Sequence, residues 1–392
     1  SLCVRFRFGN RNMKNNIKNR TTSSTKTFLI AAALSSGALM ASSPALAGAD
    51  KTNHPVVMVH GMAGFDDILG YHYFSDTYGR KLYTNCYWYS SCNKYLDWGQ
   101  IGAAAEMSPF HSSDHRGLQL ADAVEAWMIA NDFTHVNFVG HSQGGMDLRK
   151  AAKILHDRFG YQVVKVAYSI SSPHRGSPIA KHVLDLGEGV SNIVEALADT
   201  YGNIVYGAEN DANAALKQLI YDDYDPSDGV LTGAKQFNEN YPVSSTYAKR
   251  YASTVNSQQG GNVNPALWIT QDDYFNIDGD GYCINDCSGD GAAGQGNGEQ
   301  YDTDDDGLVG INSQQMGWRT EFHYNAWGMD YLTTYSDTDY VSNINQPTPT
   351  QMTSRGAVIN QDHLDMIGIP NTTFRIRNFY GAIFHYIAQY DN

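Results

Sequence analysis

The sequence predicts an α/β fold with a mostly parallel, doubly wound sheet. Stretches of strand length alternate with amphipathic stretches of helical spacing, the first strand is a continuous apolar run, and a glycine-bracketed turn joins a central strand to a helix. Of the 392 residues, 42% are hydrophobic and 17% are charged. This composition supplies a large core and excludes a disordered chain.

The start of the chain, residues 1–47, is predicted to be a cleaved signal peptide. Basic residues precede an apolar run from Phe28 to Met40, and Ala45-Leu46-Ala47 offers a small-residue cleavage site. The run is too short and too often interrupted by serine for a comfortable membrane span. Met13 begins a conventional n-region, so residues 1–12 are compatible with upstream translation. We therefore expect a secreted, extracellular protein whose single domain covers residues 48–392.

The net charge bears on possible partners, and the cysteine content bears on disulfides and metal binding. The formal net charge of −14 becomes more negative without the basic leader, which argues against a nucleic-acid partner. Outside the leader the number of cysteines is even, which favours disulfides in an extracellular protein. A zinc cluster is the competing interpretation, but no histidine lies within a few residues and the spacing is not C-x2-C. The close spacings favour two bridges, Cys86 with Cys92 and Cys283 with Cys287.

The first strand is predicted at residues 55–60 and ends in the loop His60-Gly-Met-Ala-Gly64. Such a loop at the C-terminal end of a parallel strand is where an α/β sheet places backbone that faces a ligand. The amide of Met62 is our candidate for one donor of an oxyanion hole. We interpret His60 as a structural histidine that holds this loop by hydrogen bonds.

The segment from Val136 to Gly145 is the centre of the prediction, because a buried strand there runs into the serine Ser142. Residues 140–144, Gly-His-Ser-Gln-Gly, have the G-x-S-x-G pattern of a nucleophile elbow, in which a strained turn exposes the hydroxyl. Glycine is needed at both flanks because the helix and the strand approach closely there. The amide of Gln143 is the expected second oxyanion donor. An ordinary strand-to-helix turn is the alternative.

The elements around this elbow complete the predicted sheet. Helical spacing covers residues 116–130, and a further strand is predicted at residues 163–170. From about residue 184 to residue 260 the pattern is helical, including an amphipathic helix at 212–220, with no strong strand before one at 267–270. This insertion predicts a helical cap, either a fixed wall or a mobile lid.

An Asp- and Gly-rich region follows at about residues 276–306 and is a predicted calcium-binding region. Residues 276–281 and 302–307 both resemble the first half of a calcium loop, but position twelve is Cys287 or Ser313 rather than glutamate. Calcium in another geometry and a solvated loop both remain compatible with this composition.

Acyl transfer by serine needs a base to accept the hydroxyl proton and a carboxylate to orient that base. On this kind of sheet the chain order is Ser, then Asp or Glu, then His. The residues Ser142, Asp306 and His363 satisfy that order. The rivals are His323 as the base and Asp304 or Asp305 as the acid.

These motifs together resemble the secreted bacterial triacylglycerol lipases of the Pseudomonas and Burkholderia type, which implies the α/β-hydrolase fold. The resemblance runs through most of the chain after the leader and is most specific around the elbow. The matching pieces are VHGMAGFD (59–66), RGLQL (116–120), VGHSQGG (139–145), SPHRGS (172–177), FNENYP (237–242), DGLV (306–309) and HLD (363–365).

The resemblance implies that Asp306 is the acid, that His363 is the base and that Asp365 binds a structural calcium. Lipases of this kind often need a dedicated folding chaperone, which is therefore a candidate partner. The interval between Asp306 and His363 exceeds the family norm, and the cysteines do not match the family's single long-range bridge. Candidates for the second calcium ligand are Asp278, Asp280, Asp286 and Asp290.

We therefore expect a secreted serine ester hydrolase, a triacylglycerol lipase that acts at an oil–water interface without an organic cofactor. The alternative on the same fold is a polyester depolymerase or short-chain carboxylesterase, with the insert after Asp306 and the aromatic-rich stretch 71–98 binding a polymer. An alternative of another class is a non-catalytic, calcium-dependent surface-binding protein that uses the Asp- and Gly-rich region. The intact set of Ser, Asp and His argues against that last alternative.

Overall fold

The computed structural model describes most of the sheet, the helices that cover it and the loops at one edge. The predicted leader, apart from residues 6–8, lies outside the described residues, as do both cysteine pairs and the four candidate calcium aspartates at positions 278–290. The described residues are 6–8, 52–64, 67–68, 71–75, 82, 100–177, 179–180, 211–221, 224–225, 230–231, 233–258, 263–264, 267, 305–325, 329–368 and 374–392.

Thirteen strands occur in the described part of the chain. Nine of them form one sheet, and the other four form two small antiparallel pairs, β3 with β4 and β8 with β9. The strands are β1 (Phe6–Phe8), β2 (Val56–Val59), β3 (Asp67–Ile68), β4 (Tyr71–His72), β5 (Gly102–Ala105), β6 (Val136–His141), β7 (Val164–Ile170), β8 (Tyr224–Asp225), β9 (Val230–Leu231), β10 (Ala248–Ser257), β11 (Trp318–His323), β12 (Tyr331–Thr334) and β13 (Val358–Asn360).

Six α-helices and one 3-10 helix accompany these strands in the described part. Ser112 caps the first helix by accepting a hydrogen bond from the amide of His115, and Gly160, with φ at 75°, ends the second. The helices are α1 (Ser113–Asn131), α2 (Gly144–Phe159), α3 (Ala212–Gln218), α4 (Ala234–Asn240), α5 (Pro349–Thr353), the 3-10 helix (Asp365–Ile367) and α6 (Ile376–Tyr390). No helix among the described residues is long and apolar enough to cross a membrane.

The large sheet is mostly parallel, as the sequence predicts. Its order is β1-β5-β2-β6-β7-β10-β11-β12, with β13 also paired to β10. Pairing is parallel from β5 to β11, and only β1 and β12 run antiparallel to their neighbours. The chain passes from β2 outward to β5 and returns through α1 to β6 on the opposite side of β2. The C-terminal ends of β2 and β6 therefore form a topological switch point, where open α/β sheets bind ligands.

Apolar side chains cover both faces of this sheet. On one face, α1 and α2 pack through residues that include Leu120, Val124 and Leu148. On the other face, α6 packs through Phe379, Ile383 and other fully buried side chains. The central strands β2 and β6 are buried along their whole length, which explains the apolar run of β2.

The predicted range of the helical cap, about 184–260, is wrong at its end. Residues 248–257 form β10, a fully integrated strand that pairs in parallel with both β7 and β11. This strand escaped the pattern because Ser253, Thr254 and Asn256 are polar but fully buried. Within the predicted cap, the expected helix at 212–220 is present as α3. The strand predicted at 267–270 lies, apart from Leu267, outside the described residues.

The chain leaves the described part at Leu267 and returns at Asp305, and these two ends adjoin. The amide of Gln258, directly after β10, donates to the carbonyl of Asp305 at 3.0 Å. A Cβ atom placed on Gly307 would lie 3.0 Å from the side chain of Leu267. The return point is therefore fixed at the C-terminal edge of β10.

Candidate active site

Ser142 lies on a strained turn between β6 and α2. Its φ of 55° is in the left-handed region, which L residues other than glycine rarely adopt. Its amide donates to the carbonyl of Ile170 at 2.9 Å, and its carbonyl accepts from the amide of Gly145 at 3.0 Å. A Cβ atom on Gly144 would overlap the carbonyl oxygen of Val59. The strand-to-helix turn has the expected form of a nucleophile elbow, with glycine where the backbone elements meet.

The loop after β2 touches this serine. A Cβ atom on Gly61 would lie 2.6 Å from Cβ of Ser142 and 3.1 Å from its Oγ, so the two residues are in direct contact. In the described part of the chain, the N–H groups of Met62 and Gln143 have no hydrogen-bond acceptor. Unused amide donors beside a serine hydroxyl are the groups from which an oxyanion hole is built.

His60 holds the same loop from inside. Its Nδ1 donates to the carbonyl of Gly61 at 2.8 Å, and its Nε2 accepts from the amide of Met107 at 3.1 Å. Burial, together with the nearby guanidinium of Arg116, lowers the pKa of His60 to about 3, so the ring is neutral. The guanidinium also donates to the carbonyl of His60 at 2.5 Å. These contacts agree with the structural role expected for His60.

The structure brings His363 and Asp306 together. Nδ1 of His363 lies 2.9 Å from Oδ2 of Asp306, and both side chains are buried. The backbone amide of His363 also donates to the carbonyl of Asp306 at 2.9 Å. The other carboxylate oxygen accepts from the amides of Leu308 at 3.1 Å and Val309 at 2.7 Å. The carboxylate is thus fixed in orientation and leaves Nε2 of the imidazole for other chemistry.

The rival residues lie elsewhere or have other partners. His323 is at the end of β11, where Nε2 contacts the hydroxyl of Thr333 at 2.8 Å and the ring stacks on Tyr331. Oδ1 of Asp305 accepts from the amide of Gly307 at 2.6 Å. Asp304 lies outside the described residues. Within the described part, Asp306 is the carboxylate that contacts His363.

Asn256 is a site residue that the sequence pattern did not reveal. Its Nδ2 donates to Oδ2 of Asp306 at 3.2 Å and to the carbonyl of Gln361 at 3.3 Å. Its Oδ1 accepts from the hydroxyl of Ser171 at 2.6 Å. The only available signal was the position of Asn256 near the end of a strand, and the helical interpretation of residues 184–260 obscured it.

Tyr73 and His141 are two further residues that sequence reasoning missed. Oη of Tyr73 lies 2.7 Å from Nδ1 of His141 and accepts from the amide of Gly61 at 3.2 Å. Nε2 of His141 lies 3.0 Å from the carbonyl oxygen of His363. The two imidazole rings have their centroids 4.6 Å apart. The position of His141 inside G-x-S-x-G was a signal that could have directed attention to this ring.

The predicted calcium site is only partly within the described residues. Asp365 begins the 3-10 helix two residues after His363, and the neighbouring Asp362 accepts from the amides of Leu364 at 2.9 Å and Asp365 at 2.8 Å. Burial and the charge of Asp365 raise the pKa of Asp362 to about 6. Two close carboxylates suit a hard cation, but no group of three metal-ligating side chains occurs in the described part. The candidates at 278, 280, 286 and 290 fall outside it.

Comparison with known proteins places these features in context. No protein-family model matches the chain. Curated proteins named triacylglycerol lipase match it: one from Burkholderia plantarii is 32% identical over 220 residues, covering 53% of this chain and 54% of that protein. One from Vibrio cholerae is 33% identical over 166 residues, covering 41% of this chain and 46% of that protein. The chain therefore spans about half the length of the curated relatives that it matches.

A solved structure supports the fold independently of sequence. Lipase 1 from Pelosinus fermentans superimposes with a TM-score of 0.50 at 16% identity, covering 86% of this chain and 99% of that one. At this identity the likeness concerns the fold alone. Together with the parallel sheet and the elbow, these comparisons show that the chain has the α/β-hydrolase fold and is a relative of bacterial proteins named triacylglycerol lipase.

Proposed function

We propose that this protein hydrolyses carboxylic esters of lipids, with acylglycerols as its main substrates, through a covalent acyl-enzyme on Ser142. The observation that carries the proposal is the hydrogen bond from His363 to Asp306, at the sheet edge where the elbow presents Ser142. The relatives named triacylglycerol lipase support the choice of ester hydrolysis over other reactions of this fold. Because one fold hosts many unrelated functions, the function is inferred from the site residues rather than from the sheet.

The described groups have the roles that acyl transfer needs. Ser142 would attack the ester carbonyl while Nε2 of His363 accepts its proton, because Nδ1 is already committed to Asp306. The negative charge that develops on the carbonyl oxygen would be held by the amides of Met62 and Gln143. Loss of one such donor typically costs about 3 to 4 kcal/mol of transition-state stabilisation.

The same groups complete the formation of the acyl-enzyme and then its hydrolysis. The imidazolium of His363, stabilised by the carboxylate of Asp306, would return its proton to the leaving alcohol. Water then attacks the acyl-enzyme, and His363 accepts the proton of that water. The released products are an alcohol and a carboxylic acid, and Ser142 regains its hydroxyl proton.

Apolar side chains beside the site support a lipid substrate. Met62 and Leu308 are only partly buried and pack against an apolar cluster that contains Met146, Leu219 and Phe237. Leu308 also contacts a second small cluster. An acyl chain next to the ester would gain about 0.8 kcal/mol for each buried methylene. We therefore assign the acyl part of the substrate to this side of the site.

The test is the initial hydrolysis rate on esters from soluble butyrate to emulsified long-chain triacylglycerol, for the protein and its Ser142→Ala variant. We expect turnover that requires Ser142 and rises with chain length. Activity confined to short soluble esters would favour a carboxylesterase, and activity on polyester films a depolymerase. Absence of Ser142-dependent turnover on every ester would contradict the proposal and favour a surface-binding protein.

Calcium and export belong to the same proposal. Asp365 would be one ligand of a structural calcium that steadies the loop bearing His363, and the basic and apolar leader would direct secretion. A chelator should then lower the melting temperature of the protein, and Asp365→Asn should remove that sensitivity. The control is Asp157→Asn, at an exposed carboxylate paired with Lys153. Equal chelator sensitivity in both variants would exclude Asp365 as a ligand.

A further inference from the structure

We propose that Tyr73 and His141 are positioning residues for ester hydrolysis. They form a hydrogen-bond chain that fixes the loop bearing Met62 relative to the loop bearing His363, and the inference rests on the proposed function. The chain runs from the amide of Gly61 to Oη of Tyr73, from Oη to Nδ1 of His141, and from Nε2 of His141 to the carbonyl of His363.

The two ends of this hydrogen-bond chain determine which atom donates in each of its hydrogen bonds. The amide of Gly61 can only donate a hydrogen bond, and the carbonyl of His363 can only accept one. Tyr73 accepts from Gly61, and its single hydroxyl proton is available for Nδ1 of His141. His141 is therefore the neutral tautomer with its proton on Nε2, which donates to the carbonyl of His363. For a neutral imidazole, this arrangement of protons satisfies all three contacts.

Burial keeps every member of the chain neutral. Tyr73 is 5% exposed and His141 is 1% exposed. Burial raises the pKa of the Tyr73 hydroxyl, and burial together with the neighbouring His363 lowers the pKa of His141 well below its usual value. A buried chain of satisfied hydrogen bonds is stiff, since any displaced member would leave a polar group without a partner.

This hydrogen-bond chain connects three segments whose relative positions matter for acyl transfer. Gly61 contacts Ser142 and precedes the donor Met62, and His141 immediately precedes Ser142. The backbone of His363 is held from both sides, because its amide donates to the carbonyl of Asp306 and its carbonyl accepts from His141. Tyr73 and His141 thus set the position of the base and of the oxyanion loop without touching substrate.

The variant Tyr73→Phe removes one hydroxyl and keeps the ring. A displacement of catalytic groups by less than about 1 Å can cost on the order of 100-fold in rate. We expect kcat on a soluble ester to fall by about 10- to 100-fold, with KM changed by no more than about twofold, because substrate contacts remain. Affinity for a trifluoromethyl ketone transition-state analogue should fall in parallel with kcat.

The matched control is Tyr168→Phe. Tyr168 is also buried, and its hydroxyl also has two partners, Thr254 and Thr320, within the sheet rather than at the site. We expect the control to lose comparable stability in denaturant and to keep its kcat. Equal effects of the two substitutions on kcat would overturn the positioning role.

A readout independent of turnover separates this inference from the proposed function. Nitrogen-15 NMR of the imidazoles should show His141 as the neutral Nε2–H tautomer near neutral pH and should show loss of the hydrogen bond at Nδ1 in Tyr73→Phe. An unprotonated Nε2 would contradict the chain. Absence of esterase activity in the parent with the expected His141 spectrum would reject the proposed function while leaving the chain itself intact.

Discussion

Asp306 and His363 are hydrogen-bonded at 2.9 Å although they stand 57 positions apart in the chain. The interval contains the antiparallel pair β11 and β12, and the chain then returns as β13 to pair with β10, with Val358 opposite Val255. The same strand β10 receives Asp305 through the amide of Gln258. Both members of this hydrogen-bonded pair therefore follow segments that are anchored to the same strand.

The acid of this pair is tested by Asp306→Asn. The amide would keep the shape of the carboxylate but would favour the wrong tautomer of His363, so we expect kcat to fall by about 10³- to 10⁴-fold. The matched control is Asp305→Asn at the adjacent rival acid, which should retain most activity. Steady-state kinetics on a soluble ester measure both. A greater loss of kcat in the Asp305 variant would mean that Asp305, rather than Asp306, is the acid.

Asn256 should support the acid. In Asn256→Ala the carboxylate of Asp306 loses a charge-assisted hydrogen bond, which is typically worth about 1.5 to 3 kcal/mol. We expect kcat to fall by roughly tenfold or more and the free energy of unfolding to fall as well. Asn256→Asp should be worse, because two carboxylates would then face each other at the same position. Full activity of the aspartate variant would show that Asn256 does not orient Asp306.

The pH dependence of stability should reflect three buried, neutral histidines. The pKa of His60 is lowered to about 3, and the pKa values of His141 and His174 are lowered well below 6.5, in each case mainly by burial. Below pH 6.5 the unfolded chain binds protons that the folded chain does not, so the stability of the fold decreases as pH falls. Each such histidine contributes about 1.4 kcal/mol per pH unit.

Two buried carboxyls oppose this trend. Burial raises the pKa values of Asp147 and Asp362 to about 6, so on lowering the pH they bind protons in the folded state first and add stability. The histidine contribution is therefore isolated by comparing the parent with His174→Gln in urea unfolding between about pH 7 and about pH 5. We expect the variant to show a slope that is smaller by about 1 kcal/mol per pH unit, averaged over this range. Identical slopes would mean that His174 is not buried as a neutral ring.

The elbow glycine should not accept a side chain. In Gly144→Ala the new Cβ would overlap the carbonyl of Val59 and lie 2.8 Å from that of His60, so the loop after β2 must shift. We expect a loss of stability of about 3 kcal/mol or more and loss of activity. Gly160→Ala is the control: its Cβ would meet nothing within 4 Å, and only the left-handed φ of 75° costs about 1 to 2 kcal/mol. Thermal unfolding of both variants measures the difference, and equal losses would remove the steric argument.

Local motifs revealed the elbow and the candidates Asp306 and His363, whereas the residues that support them are brought together by tertiary contacts. G-x-S-x-G is a contiguous signal, so Ser142 and its strained backbone followed from the sequence alone. Residues 248–257 gave no strand signal, because Ser253 and Thr254 are polar and are buried only where the fold supplies partners such as Tyr168. Asn256 and Tyr73 have partners from distant segments, and no spacing rule connects such positions.

The segment between Leu267 and Asp305 leaves and rejoins the described fold at adjoining points. Because these ends already adjoin, a longer or shorter segment changes the entropy of loop closure by only about 0.6 kcal/mol for each doubling of length. The described sheet, the elbow and the pair of His363 with Asp306 all lie outside this segment. We therefore expect that a change in the length of this segment leaves the described sheet and the elbow in place.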